Sequence, residues 1–208
     1  MGLKNISPID GRYEQKTSAL KEYFSEFGLI RYRVFVEWSY LRALKTALPQ
    51  VFQGIDDEYL ENMQLGALKL SLSDAEEIKK IEKITNHDVK AVEYFVKSQL
   101  DKDGYETYKE WVHFALTSQD INNTAIPISI KRALEDVYQP LLLNLMETIF
   151  KLAKDWAEIP MLARTHGQPA SPTTVGNEFY VFYYRLKEMS EELSNYRMSC
   201  KFGGATGN

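Results

Sequence analysis

Residues 174–198 read TVGNEFYVFYYRLKEMSEELSNYRM, and this stretch decides the fold class. Val175, Phe179, Phe182, Leu186, Met189 and Leu193 recur at spacings of four and three, which places them on one helix face. No glycine or proline follows Gly176 within the stretch. The pattern predicts one helix of about 25 residues, roughly 37 Å long at 1.5 Å per residue. Long helices with a single apolar stripe pack into bundles, often across subunits. A second stripe precedes it: Pro140 opens a helix whose Leu142, Leu145, Met146, Ile149, Ala153 and Trp156 keep the same spacing. Met161 to Pro172, between the two, reads as a non-helical connection.

The rest of the chain reads the same way. A helix is predicted from about Asp120 to Tyr138, with Pro127 inside it to kink it or delay its start. Others cover about 89–100 and, more weakly, 57–70. Ser73 is a candidate cap for a helix reaching about Ile84, with Glu76 three residues on as its capping-box partner. Leu29 to Leu48 forms a helix that Pro49 stops. Thr17 or Ser18 is a candidate cap for a short helix ending at Gly28. Residues 1–16 form an irregular arm with turn signals at Ser7-Pro8 and Asp10-Gly11. No stretch alternates as a strand would, so the predicted class is all-α.

Composition narrows the function. The 208 residues can bury a sizeable core without disulfides or metals. Lys plus Arg number 25 and Asp plus Glu 29, a net charge of −4, which argues against a nucleic-acid partner. Cys200 is the only cysteine, so no intrachain disulfide forms and a reducing compartment is expected. Apolar runs fall far short of the ~20 residues of a membrane helix, and the N-terminus lacks a signal-peptide core. Its Gly2 lacks the Ser or Thr at position 6 of a myristoylation site, which is Ile here. A cytoplasmic protein without a membrane partner is expected. The three histidines match no metal-ligand spacing, and no phosphate-binding glycine motif is present, so no metal or cofactor is expected.

Four polar clusters interrupt the helical pattern. In the first, Ser7 to Tyr13, Arg12 and Tyr13 side by side suit a phosphate or carboxylate, or belong to a plain surface arm. The second is Thr85-Asn86-His87-Asp88, where Asn86 or Asp88 also serves as a helix cap. The third runs from His113 to Asp120. Its Thr117 and Ser118 sit at a helix start, where hydroxyls and free N–H groups cap the helix or receive an anion. The fourth, Arg164 to Pro172, places His166 beside Gly167 and Gln168 in a proline-bounded loop. Imidazole titrates near neutrality, so His166 suits proton transfer, or it is a loop histidine bonded to backbone.

Taken in order, Ser-Pro-Ile-Asp-Gly-Arg-Tyr, Thr-Asn-His-Asp-Val-Lys-Ala, His-Phe-Ala-Leu-Thr-Ser-Gln-Asp, Arg-Thr-His-Gly-Gln-Pro-Ala and Lys-Phe-Gly-Gly-Ala-Thr-Gly-Asn resemble the fumarase/aspartase superfamily, most closely its adenylosuccinate lyase branch. The resemblance covers essentially the whole chain. It implies a small helical N-terminal domain (1–110, including the arm 1–16) followed by the start of a long-helix bundle domain (111–208). It implies elimination of fumarate from adenylosuccinate, giving AMP, and from the succinylated aminoimidazole carboxamide ribotide. It implies a homotetramer with a 20-helix bundle and active sites shared between protomers. His166 corresponds to the general acid. Arg12, Tyr13, Asn86, His87, Asp88, His113, Thr117, Ser118 and Gln168 correspond to positions that contact the nucleotide substrate.

The superfamily's Ser-Ser-x-Met-Pro-x-Lys-x-Asn loop, with its general-base serine, is absent, as is a C-terminal domain. The chain is therefore expected to be the N-terminal part of such an enzyme, inactive alone. Argininosuccinate lyase and fumarase-type enzymes are the alternative within the superfamily. A non-catalytic helical scaffold is the alternative outside it.

Overall fold

Ser25 sets the frame of the first half. Its extended backbone (φ −78°, ψ 167°) ends one helix, and its Oγ accepts from the Gly28 N–H at 3.1 Å to start the next. That next helix, α3 (Glu26–Ala47), ends just before Pro49, as predicted. The segment ahead of it differs from expectation. In place of one short helix ending at Gly28 there are α1 (Glu14–Thr17), a 3₁₀ turn (Ser18–Leu20) and α2 (Lys21–Phe24). The Thr17 hydroxyl donates to the carbonyl of Ile9 instead of capping a helix. The computed structural model describes residues 4–207. The first three residues of the expected arm, Gly2 among them, and Asn208 at the end of the glycine-rich stretch lie outside the described residues.

Next come α4 (Asp57–Ala67), α5 (Leu72–Thr85), α6 (Asp88–Lys102), a 3₁₀ turn (Glu106–Trp111) and α7 (Ser118–Ala133). The cap of α5 is Ser71, two residues before the expected Ser73. Ser71 Oγ accepts from the Asp74 N–H, and the Asp74 carboxylate accepts from the Ser71 N–H. Both serines have an acid three residues on, so spacing alone did not separate them. Pro127 lies inside α7 without delaying its start.

The chain forms two compact units. One runs up to Arg132 and takes in the tail from Met198; the other is Ala133–Arg197. In the first, α3 packs on both sides. Ile30, Val34, Trp38 and Leu41 meet Phe52, Leu60, Val92, Phe95 and Val96 in the larger core. Tyr32 and Val36 meet Val89, Ile121 and Ala125 in the smaller one.

In the second unit a π-helical turn (Leu134–Tyr138) leads into α8 (Gln139–Asp155). The expected non-helical connection then proves to be a β-hairpin. Its strands β1 (Pro160–Thr165) and β2 (Gln168–Thr174) pair antiparallel, with a register irregularity between Leu162 and Arg164. Both strands are mostly exposed, so neither needed the alternation by which half-buried strands are recognised. Pro169 and Pro172 are tolerated because a two-stranded ribbon is all edge. The last helix is α9 (Val175–Asn195), capped by Thr174.

The α8–α9 contact uses only part of the predicted stripes. Trp156 meets Phe179 edge-on at 5.1 Å and Phe150 meets Tyr183 at 4.7 Å. Leu145, Phe182 and Met189 stay exposed at 50%, 58% and 62%. The start of α9 lies against the end of α8 and the residues just after it at Gly176. A Cβ there would collide with the Ala153 carbonyl oxygen and lie 2.7 Å from the Ala157 backbone nitrogen. Gly176→Ala is therefore expected to destabilise this unit by about 1–3 kcal/mol. Urea denaturation followed by circular dichroism measures this, and an unchanged midpoint would mean that the two helices separate without cost.

Candidate lyase site

An apolar helix with charges on its buried side organises the first unit. Arg33, Glu37 and Tyr40 follow one another on α3 at steps of four and three, so they share a face. Arg33 and Glu37 are both buried. Each grips a different polar cluster.

Arg33 reaches the second cluster. Its Nη2 donates to Asp88 Oδ2 at 2.6 Å and its Nε to Asn122 Oδ1 at 2.9 Å. Burial pushes the Asp88 carboxyl up, but the Val89 N–H and the Arg33 guanidinium outweigh it and hold it below the usual carboxylate range. Asn86 ends α5 in the left-handed region (φ 51°). The cap of α6 is His87, not Asn86 or Asp88: its Nδ1 accepts from the Lys90 N–H at 3.1 Å. With Nδ1 an acceptor, the neutral ring carries its hydrogen on Nε2. Nε2 lies 3.2 Å from Ser118 Oγ and donates to it. The Ser118 hydroxyl hydrogen then remains to be offered elsewhere.

Glu37 reaches the third cluster. Its Oε1 is 2.6 Å from His113 Nδ1. The loop beyond passes twice through the left-handed region, at His113 (φ 61°) and Ala115 (φ 58°). The Tyr40 hydroxyl donates to the Phe114 carbonyl at 2.8 Å and braces that loop. Thr117 gives its N–H and its hydroxyl hydrogen to Asp120 Oδ2, at 2.8 and 3.0 Å. Thr117 Oγ1 is thereby left as an acceptor, while Ser118 is left as a donor.

Asp120 also joins the glycine-rich stretch to this group. Its Oδ1 accepts from Lys201 Nζ (3.0 Å) and from the N–H groups of Gly203 (2.8 Å) and Gly204 (3.2 Å). Its side chain is 0% exposed. Burial alone would raise its pKa. The Thr117 and Gly203 N–H groups, Lys201 and the Thr117 hydroxyl overcome that and hold it far below the ordinary value.

The structure thus brings His87, Asp88, His113, Thr117 and Ser118 together around α3 and the start of α7. Arg12 and Tyr13 belong to the same unit but to the arm, which is held by its own turns. The Tyr13 N–H donates to the Pro8 carbonyl at 2.8 Å, and the Arg12 guanidinium lies 5.5 Å from the Tyr13 ring centre. His166 and Gln168 belong to the second unit. His166 and Gly167 form the two-residue turn between β1 and β2, both with positive φ (49° and 76°), and His166 is exposed.

Arg33, Glu37, Tyr40, Asp120 and Lys201 were not singled out from the sequence. A signal existed for three of them, because polar residues at 33, 37 and 40 interrupt an apolar helix at helical spacing. Among the described residues no group of three or more His, Cys, Asp or Glu is placed to hold a metal ion.

A family model described as lyase matches residues 11–208. The chain belongs to this lyase family. It is 50% identical to adenylosuccinate lyase of Dictyostelium discoideum, over 99% of the chain and 46% of that protein. It is 41% identical to adenylosuccinate lyase of Escherichia coli strain K12, with the same coverage. The chain thus spans about half the length of the curated relatives it matches. Solved structures share the fold. The 3-carboxy-cis,cis-muconate lactonizing enzyme of Pseudomonas putida superposes with a TM-score of 0.66 at 22% identity, over 92% of this chain and 42% of that one. A fumarate lyase from Mesorhizobium sp. BNC1 gives 0.66 at 22% identity, over 91% and 43%. The all-α, fumarase/aspartase-like class expected from the sequence is the class found.

Asp120 offers a direct check of the lyase fold's electrostatics. A carboxyl whose folded-state pKa is depressed contributes stability above its unfolded pKa of about 3.9, and loses it as pH falls below that value. Asp120→Asn is expected to be less stable than the parent at pH 7, with the gap shrinking below about pH 4. Urea denaturation across that range measures it. A gap independent of pH would show that the buried carboxylate is not selectively stabilised.

Proposed function

We propose that this chain serves the elimination of fumarate from adenylosuccinate, giving AMP, and from the succinylated aminoimidazole carboxamide ribotide. The 50% identity to a named adenylosuccinate lyase over nearly the whole chain carries this reading. In it, residues 1–110 form a helical N-terminal domain and 111–208 the opening of a bundle domain.

The reaction breaks a C–N bond and removes a proton from the carbon beside a carboxylate. His166 gives a proton to the departing nitrogen, which leaves more readily as a neutral amine. Negative charge that develops on the carboxylate is met by fixed donors. The Ser118 hydroxyl, oriented by His87, supplies one of them. Arg12, Tyr13, Asn86, Asp88, His113, Thr117 and Gln168 complete the substrate contacts. No residue of this chain is assigned the base.

Apolar side chains left exposed on α8 and α9, among them Leu145, Phe182 and Met189, support assembly with further copies. We propose a homotetramer whose helices share one bundle and whose active sites draw on several protomers. Among the described residues no helix is long and apolar enough to cross a membrane. The proposed location is the cytoplasm.

The test is an absorbance assay of adenylosuccinate cleavage. It is run on the 208-residue chain and on the same chain with whatever sequence continues it in its gene. Cleavage by the longer protein is expected. Inactivity of both with intact folding, together with turnover of argininosuccinate, would favour a sister lyase. In an active protein His166→Ala should lower turnover on the order of 10²-fold or more without loss of folding. A mere scaffold would show no turnover to lose.

A further inference from the structure

Glu37 is unusual among the acids of this chain. It is 0% exposed, its Oε1 makes one short contact to His113 Nδ1, and its Oε2 is buried with no hydrogen-bond partner among the described residues. A fully ionised carboxylate in that setting carries a substantial desolvation penalty. The penalty falls if the Glu37–His113 dyad as a whole is neutral. Two arrangements achieve this: a carboxylate beside an imidazolium, or a carboxylic acid beside a neutral imidazole that accepts at Nδ1. Both place a hydrogen on Nε2 of His113. Only the dyad with net negative charge, Glu37 ionised and His113 neutral with its hydrogen on Nδ1, leaves Nε2 bare.

We propose that Glu37 is a positioning residue for His113, sharing one proton with Nδ1 so that Nε2 stands as a hydrogen-bond donor toward an anionic oxygen at neutral pH. The proton arrangement follows from the structure, and its use in turnover rests on the lyase reading above. The surroundings agree. Burial raises the Glu37 carboxyl, and although burial disfavours imidazolium, contact with Glu37 raises His113. The dyad therefore keeps its proton to higher pH than an ordinary histidine would. The charged and titratable groups facing it compensate one another in part. Glu93 on α6 is bridged by Lys90 at 2.8 Å and Lys97 at 3.1 Å. Asp120 at the start of α7 is paired with Lys201. Tyr40, one turn along α3, has its own pKa raised by burial and by the Glu37 and Asp120 charges. The left-handed backbone of His113 and the bond from Tyr40 to Phe114 keep the ring from turning away.

The chain has only three histidines, which makes the test direct. In protein labelled with ¹⁵N-histidine, the His113 signals are those missing from His113→Gln. At pH 7, Nε2 of His113 is expected to carry a hydrogen, and its midpoint to lie above that of an ordinary histidine. In Glu37→Gln the proton affinity of His113 should fall about tenfold or more, roughly one pH unit. A bare Nε2 at pH 7 in the parent protein, or an unchanged midpoint in Glu37→Gln, would overturn the proposal. If Glu37→Gln does not fold, the parent spectrum decides alone. No enzymatic assay enters, so failure of the lyase reading and failure of this inference remain distinct.

Discussion

A buried ionisable group must find a partner, and α3 buries two of them, Arg33 and Glu37, one helical turn apart. That constraint organises the first unit. Arg33 finds its partners outside its own helix, in Asp88 and Asn122. Glu37 draws in His113. These residues come from the start of α6, the interior of α7 and the loop before it, and α3 lies between two apolar cores that fix its position. These polar clusters are thus tied to a helix anchored in two apolar cores, which suits a site needing well-placed donors.

Each candidate cluster but the first contains backbone in a sparsely populated conformation. Asn86, His113, Ala115 and His166 are non-glycine residues with positive φ, and each lies in one of the candidate clusters. Such conformations persist where the surroundings over-determine them, and they concentrate at functional sites. Neighbouring contacts supply that over-determination at three of them: the Ser118 contact to His87 next to Asn86, Glu37 for His113, and the β1–β2 backbone pairing on both sides of His166.

Hydrogen bookkeeping gives the cluster a direction. His87 accepts at Nδ1 and donates at Nε2, which leaves the Ser118 hydrogen uncommitted to His87. Thr117 commits both of its donors to Asp120, which leaves it an acceptor. Two adjacent hydroxyl residues are therefore left with opposite hydrogen-bonding roles, one a donor and one an acceptor. Asp120 holds this arrangement together with the glycine-rich stretch, because its two oxygens divide between the two loops.

The sequence by itself determined the helical class, the helix end set by Pro49, and the four clusters where the helical pattern breaks. These depend on residues within a turn or two of one another, and spacing records them directly. It read caps less well, choosing Ser73 over Ser71 and missing His87, because neighbouring polar residues satisfy the same rule. It missed the hairpin around His166, whose exposed strands bury no face and so show no alternation. Only the tertiary structure decided the partners of those clusters. Arg33 and Asn122 are 89 positions apart, and Asp120 and Gly203 are 83. Nothing in local pattern encodes such pairs, because the need that creates them, a buried charge without water, arises only when the helices pack.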